Sequence, residues 1–289
     1  METISILAIG DNVADKYLSR GMMYPGGQSF NTAVYTKMNH MDSAYLGKFG
    51  SDAVAHHNCD VLDELGIDYS HSRFFEGENG YAKVTLHGNE RVFLGSNKGG
   101  IAKENPYAFQ DNDFAYMKCF SLLYTNLNSY IEDDLPLLHK TGVPLVYDFS
   151  TRWNDDVLRA IAPFLTVGVL SCANLKEEER TQEMMKLANL GVAIVVGTVG
   201  EAGSHILYHG DWYYQPSVRA EYVKDTMGAG DSYLSALLAS LLRDTNGKFI
   251  AGSVSEMAMH IRKAMRAGAT FAAKVCGMEG AFGHGIPLI

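Results

Sequence analysis

The stretch "VKDTMGAGDSYLSALLASLL", residues 223–242, joins a turn of small residues to an apolar helix. Its leucines recur at the spacing of a helix face that packs on a core: Leu234, Leu237, Leu238, Leu241 and Leu242. Asp231 therefore lies in the first helical turn, directly after Gly228, Ala229 and Gly230. Because these three residues carry almost no side chain, the unpaired amides of the helix start stay accessible. The stretch predicts an anion-binding turn beside a carboxylate.

An ordinary explanation of this turn exists as well. Glycine-rich turns often precede helices, and an aspartate in a first turn complements the helix dipole. The turn alone therefore fits both a structural role and an anion-binding role. The rest of the sequence is needed to choose between them.

Around this helix, short apolar runs alternate with helical patterns. The apolar runs cover residues 4–10, 43–50, 119–125, 143–149, 166–171 and 192–200. Two helical patterns, residues 53–66 and 176–191, end in glycine, a frequent signal of a helix C-terminus. Such alternation predicts βαβ units in an α/β fold, with a central, mostly parallel sheet flanked by helices. We expect a single domain over residues 1–289.

One region breaks this alternation. Residues 80–100 alternate apolar and polar side chains around the sequence HGNE, residues 87–90, as a β-hairpin does. The hairpin either extends an edge of the sheet or forms a lid over the strand ends. Residues 12–27 also contain short extended pieces around Gly21. We favour a small lid sheet built from about residues 12–27 and 80–100.

Composition excludes several classes of protein. With 24 basic and 33 acidic side chains, the formal net charge of -9 argues against a nucleic-acid or anionic-membrane partner. No apolar run approaches membrane-spanning length, and the start lacks a basic leader. The four cysteines lack CxxC spacing, which argues against a zinc site or a disulfide scaffold. A cytoplasmic location fits best. The chain contains neither GxxxxGK[ST] nor GxGxxG after a strand, which disfavours P-loop enzymes and NAD dehydrogenases.

The full string "DTMGAGDSY", residues 225–233, resembles the C-terminal signature of the PfkB family of ribokinase-like carbohydrate and nucleoside kinases. The resemblance spans nearly the whole chain and implies a ribokinase-like fold with ATP as the phosphoryl donor. It implies that Gly228, Ala229 and Gly230 form an anion hole and that Asp231 is the base. Phosphoryl transfer relies mainly on positioning and electrostatic stabilisation, which a ring of amides supplies.

Two N-terminal segments resemble the acceptor-binding parts of this family: "GDNVAD", residues 10–15, and "PGGQSFNTAVYTKM", residues 25–38. By resemblance, the predicted acceptor contacts are Asp11, Asp15, Gly26, Gly27, Asn31 and Arg91. The same residues would also suit a strand end and a turn before a helix. The segment "GKFGSDAVA" follows the family pattern G-x-x-G-x-D-x-x-G except that Ala55 replaces its last glycine.

Two later segments resemble the nucleotide side of the family: "NLKEEE" and "VVGTVGEAGS". By resemblance, the predicted nucleotide contacts are Asn174, Thr198, Gly200, Gly203, Gly228 and Gly230. Glu177 is implied to organise Mg²⁺ through water, and a sparse protein contribution is usual for this ion. A charged helix start would explain Glu177 equally.

The last helical pattern contributes two further expectations. Ala264, Gly268 and Ala272 would form a smooth helix face, either for adenine or for close packing against another helix. The family resemblance also implies a monovalent cation such as K⁺ near the GAF sequence at residues 280–282.

The acceptor is the least determined feature. Residues 146–158 keep Asp148 and Arg152 of a family pattern, Asp-x-Asn-x-Arg, but have Ser150 for Asn. Overall the chain looks most like the fructoselysine 6-kinase branch, which implies phosphorylation of the C6 hydroxyl of a fructosyl-amino acid. Asp11, Asp15 and Glu90 would suit its amine. The alternatives are a fructokinase or other small-sugar kinase, a nucleoside kinase, and a non-catalytic sugar sensor. The resemblance also implies a homodimer paired through the lid.

Overall fold

The structure is a computed structural model that describes residues 3–87 and 90–288. For residues 86, 87, 90 and 91 it describes the backbone alone. The predicted acceptor contact of the Arg91 side chain and the suggested role of Glu90 therefore lie outside the described part of the molecule.

The strands are β1 (Ser5–Gly10), β2 (Val13–Tyr17), β3 (Met22–Gly26), β4 (Asp42–Phe49), β5 (Arg73–Phe74), β6 (Gly80–His87), β7 (Glu90–Ser96), β8 (Leu122–Asn126), β9 (Leu145–Asp148), β10 (Val167–Ser171), β11 (Ile194–Thr198), β12 (Ser204–Tyr208), β13 (Asp211–Gln215) and β14 (Ile286–Pro287). The α-helices are α1 (Gln28–Met38), α2 (Ala53–Leu65), α3 (Ile101–Glu104), α4 (Asp111–Met117), α5 (Leu135–His139), α6 (Asp155–Ile161), α7 (Glu177–Asn189), α8 (Ala229–Asp244) and α9 (Val254–Val275).

The larger sheet has the strand order β13-β12-β11-β10-β9-β8-β1-β4-β5. Neighbours from β11 to β5 pair in parallel. Strand β12 pairs antiparallel with both β11 and β13. Helices α1, α2, α8 and α9 cover one face, and α4 to α7 cover the other. Strand β1 is buried throughout because both of its faces are covered. The predicted mostly parallel sheet flanked by helices is confirmed.

The smaller sheet has the order β14-β3-β2-β6-β7. It joins the two segments that the sequence assigned to a small separate sheet, since β2 pairs in parallel with β6. Strand β14 pairs with β3 and was not foreseen, because two residues carry no periodicity. Ala14 and Met23 of this sheet pack on Val54 of α2. The small second sheet is confirmed.

The carboxyl ends of the parallel strands meet at one edge of the large sheet. Strand β1 leads into Asp11, β8 ends at Asn126, and β9 ends at Asp148, which lies opposite Asn126 in the register. Ligands of open α/β sheets bind at this edge. In the described part of the chain, no helix is both long and apolar enough to span a membrane.

Candidate active site

The glycine turn before α8 leaves backbone donors available. Gly228 caps the helix in the left-handed region, at φ 70°. Within residues 3–87 and 90–288, no hydrogen bond is found for the amides of Gly228 and Gly230, whereas the Ala229 amide donates to the Thr226 carbonyl at 3.3 Å. The tight turn brings that carbonyl within reach. Two of the three turn amides are therefore open, and that of Ala229 is bonded within the turn; the role of the three residues as an anion hole stays a prediction.

The two glycines of this turn differ in their surroundings. A Cβ on Gly228 would lie 2.2 Å from the Tyr35 hydroxyl, while one on Gly230 would meet no described atom within 4 Å. The Tyr35 hydroxyl donates to the Ala281 carbonyl at 2.6 Å. Burial, and next the charge of Asp231, raises the pKa of Tyr35 far above its ordinary value. Tyr35 therefore stays a neutral donor under the turn, and Gly230 faces open space.

The predicted base and a predicted acceptor contact lie together. Asn31, on the first turns of α1, donates from Nδ2 to Oδ2 of Asp231 at 2.7 Å. Asn31 is buried, and its Oδ1 has no hydrogen-bond partner among the described residues. A buried amide oxygen normally has a partner, and a sugar hydroxyl would supply one. The arrangement fits an acceptor hydroxyl next to Asp231.

Asp11 holds the start of α1. Its carboxylate accepts from the Gln28 and Ser29 amides, both at 3.0 Å, and from Asn126 Nδ2 at 2.7 Å. Gly27 adopts φ 107°, and a Cβ there would lie 2.7 Å from the Asp11 carbonyl oxygen. The described role of Asp11 is thus to fix the helix that carries Asn31. A direct contact with the acceptor stays a prediction.

Asp15 faces the same region from the second sheet. It lies on β2 opposite Tyr24 of β3 and is buried. A Cβ on Gly26 would approach Asp15 Oδ2 to 2.4 Å, so glycine leaves room for this carboxylate. The charges of Asp15 and Asp231 both raise the pKa of Tyr35, after the larger effect of burial. The charges of both carboxylates therefore reach the same tyrosine under the turn.

Asp148 adds a buried acid whose ionisation the sequence did not reveal. Burial raises the pKa of its carboxyl to about 7, assisted by the charges of Asp231 and Asp11. The Ser150 amide opposes this shift by donating to Asp148 Oδ1 at 2.7 Å. The position of Asp148 at a strand end was the available signal, since such ends converge. A hydrogen bond from the side chain of Gln28 on α1, distant in sequence, also reaches this carboxyl.

On the other side of the turn lies an open cleft of about 810 Å³. Its lining includes four of the six predicted nucleotide contacts, namely Thr198, Gly200, Gly203 and Gly230, together with Ala229. Asn174 and Gly228 are outside this lining. The loop at residues 217–223 also lines the cleft, and sequence analysis missed it because it has no motif.

The predicted flat helix face is only partly in this cleft. Ala272 lines the cleft together with Ala269 and Ala273. Ala264 is fully buried, and a Cβ on Gly268 would lie 2.7 Å from the Tyr233 carbonyl oxygen. Those two small residues serve the close packing of α9 on α8, which was the alternative explanation.

Asn174 and Glu177 are exposed at the carboxyl end of β10, where α7 begins. A Cβ on Gly200 would lie 4.0 Å from the Ala173 Cβ, so the loops after β10 and β11 are adjacent. Among the described residues, no group of three or more His, Cys, Asp or Glu side chains is placed to hold a metal ion. A single exposed carboxylate fits an ion that is coordinated mostly by phosphate and water.

The sequence profile of the pfkB family carbohydrate kinases matches residues 9–284. The chain is 38% identical to the fructosamine kinase FrlD of Bacillus subtilis (strain 168) over 287 residues, covering 98% of this chain and 95% of that protein. It is 28% identical to the fructoselysine 6-kinase of Shigella flexneri, covering 96% and 99%. A solved structure of Arabidopsis thaliana ribokinase, complexed with ribose and ATP, matches with a TM-score of 0.78 at 19% identity, covering 97% and 95%.

Proposed function

We propose a specific substrate for this chain, which belongs to the pfkB family of carbohydrate kinases. It is a phosphotransferase that uses an alcohol group as the acceptor, and its family implies ATP as the donor. The proposed acceptor is a fructosyl-amino compound such as fructoselysine, phosphorylated on its primary C6 hydroxyl. The similarity to a fructosamine kinase and a fructoselysine 6-kinase over nearly the full length supports this choice.

One observation carries the proposed chemistry: the 2.7 Å hydrogen bond from Asn31 to Asp231 beside the open turn. The acceptor hydroxyl would donate to Asp231, and a second hydroxyl of the sugar would donate to Asn31 Oδ1. The amides of Gly228 and Gly230 would stabilise the charge that spreads over the peripheral phosphoryl oxygens. Asp231 is a weak base at a helix start, so it takes the proton late in the transfer.

Magnesium and the nucleotide would occupy the open cleft beside the turn. Mg²⁺ neutralises phosphate charge when it is bound with ATP, and Glu177 would hold it through water. Thr198 and Gly200 line the cleft, and Asn174 would contact the nucleotide from the neighbouring loop after β10. The monovalent cation near residues 280–282 and the cytoplasmic location remain predictions.

The acids of the acceptor side suit a cationic substrate. Asp148 is buried, and the charges of Asp231 and Asp11 raise its pKa, so a protonated amine next to the sugar would offset this repulsion. A plain ketose offers no such charge. This difference supports a fructosyl-amino compound over fructose.

An acceptor panel tests the substrate. ADP release is measured with Mg-ATP and fructoselysine, fructose, ribose, 2-keto-3-deoxygluconate or adenosine, and we expect the highest kcat/KM with fructoselysine. An equal or higher value with a plain sugar would favour a small-sugar kinase. Preference for adenosine would favour a nucleoside kinase.

Substitution of the base tests the chemistry. Asp231→Asn should lower kcat by a factor of about 100 or more, the usual effect of losing a general base. Asp155→Asn is the control, because Asp155 is also an acid in a first helical turn but is exposed on α6. Full activity of Asp231→Asn would contradict the role of Asp231 as the base. If the parent protein showed no turnover with any acceptor, the sugar sensor would be favoured.

We also infer a homodimer through the second sheet. Strand β7 lies at an edge of that sheet and exposes Val92, Phe93 and Leu94, with Phe93 63% exposed. An exposed apolar edge strand is suited to pairing with another copy. Phe93→Lys should shift light-scattering mass toward the monomer, whereas Trp212→Lys on β13, at an edge of the large sheet, should not. An unchanged mass in both variants would contradict pairing at β7.

A further inference from the structure

The turn that presents the open amides is held at its start by Asp225. This residue is 5% exposed, and its Oδ1 accepts from the Met227 amide at 3.0 Å. Its Oδ2 accepts from the Tyr17 hydroxyl at 2.6 Å. The amides of Lys224 and Asp225 donate to the Cys276 carbonyl at 2.9 and 3.2 Å. The backbone of the turn is thus tied to the end of α9, and its carboxylate is tied to the second sheet.

Tyr17 joins two separate parts of the proposed site. It lies on β2, two residues after Asp15, and residues two apart on a strand share a face. The Tyr17 ring is fully buried and meets Tyr24 edge-on, with ring centroids 5.2 Å apart. One short strand therefore carries a predicted acceptor contact and a direct hydrogen bond to the turn before α8.

We propose that Tyr17 is a positioning residue for phosphoryl transfer. Its hydroxyl orients the Asp225 carboxylate, which in turn holds the Met227 amide and fixes where Gly228 and Gly230 present their amides. A buried carboxylate that loses a donor must rotate or admit water to be satisfied again. Each of these changes loosens the turn. The proposal rests on the role given to this turn under the proposed function.

The test compares two tyrosines of the same sheet. Tyr17→Phe keeps the ring and its packing but removes the donor to Asp225. We expect kcat to fall about tenfold or more, because preorganised donors act on the transition state, while the KM for the acceptor changes less than about threefold. Tyr24→Phe is the matched control: the Tyr24 hydroxyl approaches Glu279 at 3.4 Å and does not reach the turn. Its kcat should stay within about twofold of the parent.

A double-mutant cycle isolates the hydrogen bond. If Tyr17 acts through Asp225, adding Tyr17→Phe to Asp225→Asn should lower kcat no further than Asp225→Asn alone, since coupled residues are not additive. Hydrogen exchange of the ligand-free protein gives a readout independent of activity. Amides of residues 224–231 should exchange faster in Tyr17→Phe than in Tyr24→Phe.

Three results would overturn the proposal: an unchanged kcat in Tyr17→Phe, equal losses in both phenylalanine variants, or a change confined to the acceptor KM. If Tyr17→Phe does not fold, unchanged exchange of residues 224–231 in Asp225→Asn would overturn it, and faster exchange would support it. Asp231→Asn in the same assay distinguishes failure of the proposed function from failure of the Tyr17 proposal. An active Asp231→Asn removes the role of the turn itself, whereas an inactive one with a fully active Tyr17→Phe removes the Tyr17 link alone.

Discussion

The acceptor side and the nucleotide side of the turn are built differently. Asp11, Asp15 and Asn31 are 8%, 5% and 3% exposed, and Asp11 and Asn31 already make short hydrogen bonds within the protein. Asn174 and Glu177 are exposed, next to an open cleft. On the proposed acceptor side, the protein fixes its polar groups in advance by its own contacts. Under the proposed function, the nucleotide would bring its own phosphate and metal charges, so that side would need fewer fixed groups.

The largest expected effect is at the turn between the two sides. Gly228→Ala places a Cβ 2.2 Å from the Tyr35 hydroxyl at a positive φ, so the turn must shift. We expect kcat to fall about 100-fold, the usual consequence of misplacing backbone donors. Gly230→Ala is the comparison for stability alone, because its Cβ meets no described atom within 4 Å but Gly230 is itself a proposed phosphate contact. It should keep the free energy of unfolding or raise it by up to about 1 kcal/mol.

If both alanine variants were destabilised equally, the contact with Tyr35 would not explain the choice of glycine at position 228. If Gly228→Ala remained fully active, the turn would not position the phosphoryl group. Steady-state kinetics and urea unfolding of the two proteins decide between these outcomes.

A smaller effect should separate the nucleotide side from the acceptor side. Ala273→Phe fills the cleft from α9, so we expect the KM for ATP to rise at least about tenfold with the acceptor KM little changed. Met259→Phe on the same helix is the control, because Met259 is 64% exposed and lies outside the lining of the cleft. A rise of the acceptor KM alone in Ala273→Phe would mean that the cleft holds the acceptor.

The sequence predicts features made by residues that are close together in the chain. It does not predict features that depend on contacts between distant residues. The large sheet follows from apolar runs, and the turn follows from consecutive residues at 228–231, so both are predictable. The hydrogen bond between Tyr17 and Asp225 joins residues 208 positions apart, and no local pattern reports it. Strand β14 has two residues and no periodicity. The packing of Gly268 on Tyr233 and the cleft loop at 217–223 required the assembled helices.

The acceptor side should also show a pH dependence, because it contains Asp148. Burial raises the pKa of Asp148 to about 7, so its charged form is lost as the pH falls through that value. If Asp148 binds the amine of the acceptor, kcat/KM for fructoselysine should fall several-fold, up to about tenfold, from pH 8 to pH 6. The Asp148→Asn profile should lack this limb, as should the profile of the parent with fructose. A limb that persists in Asp148→Asn would belong to another group.

The smallest expected effect concerns a lysine behind the acceptor side. Lys48 is 1% exposed, and its Nζ donates to the Asn105 carbonyl at 2.9 Å and lies 4.0 Å from the centroid of the Tyr107 ring. Burial lowers the pKa of Lys48 from 10.5 to about 8, against the opposing charges of Asp134 and Glu132. The folded protein therefore carries a partly compensated cation whose burial is unfavourable at neutral pH.

Between about pH 8 and pH 10.5 the unfolded chain binds more protons at Lys48 than the folded protein does, so the free energy of unfolding should rise with pH across this window. Lys48→Met should lack that rise and should be more stable than the parent by about 1 kcal/mol at pH 7, because the lost hydrogen bond partly offsets the removed charge. Lys103→Met, at an exposed position of α3, should retain the rise. Urea unfolding at several pH values measures all three proteins. A parental slope in Lys48→Met would show that this buried cation does not set the pH response. If Lys48→Met kept the acceptor KM of the parent, the acceptor side would tolerate the loss of the Lys48 ammonium group.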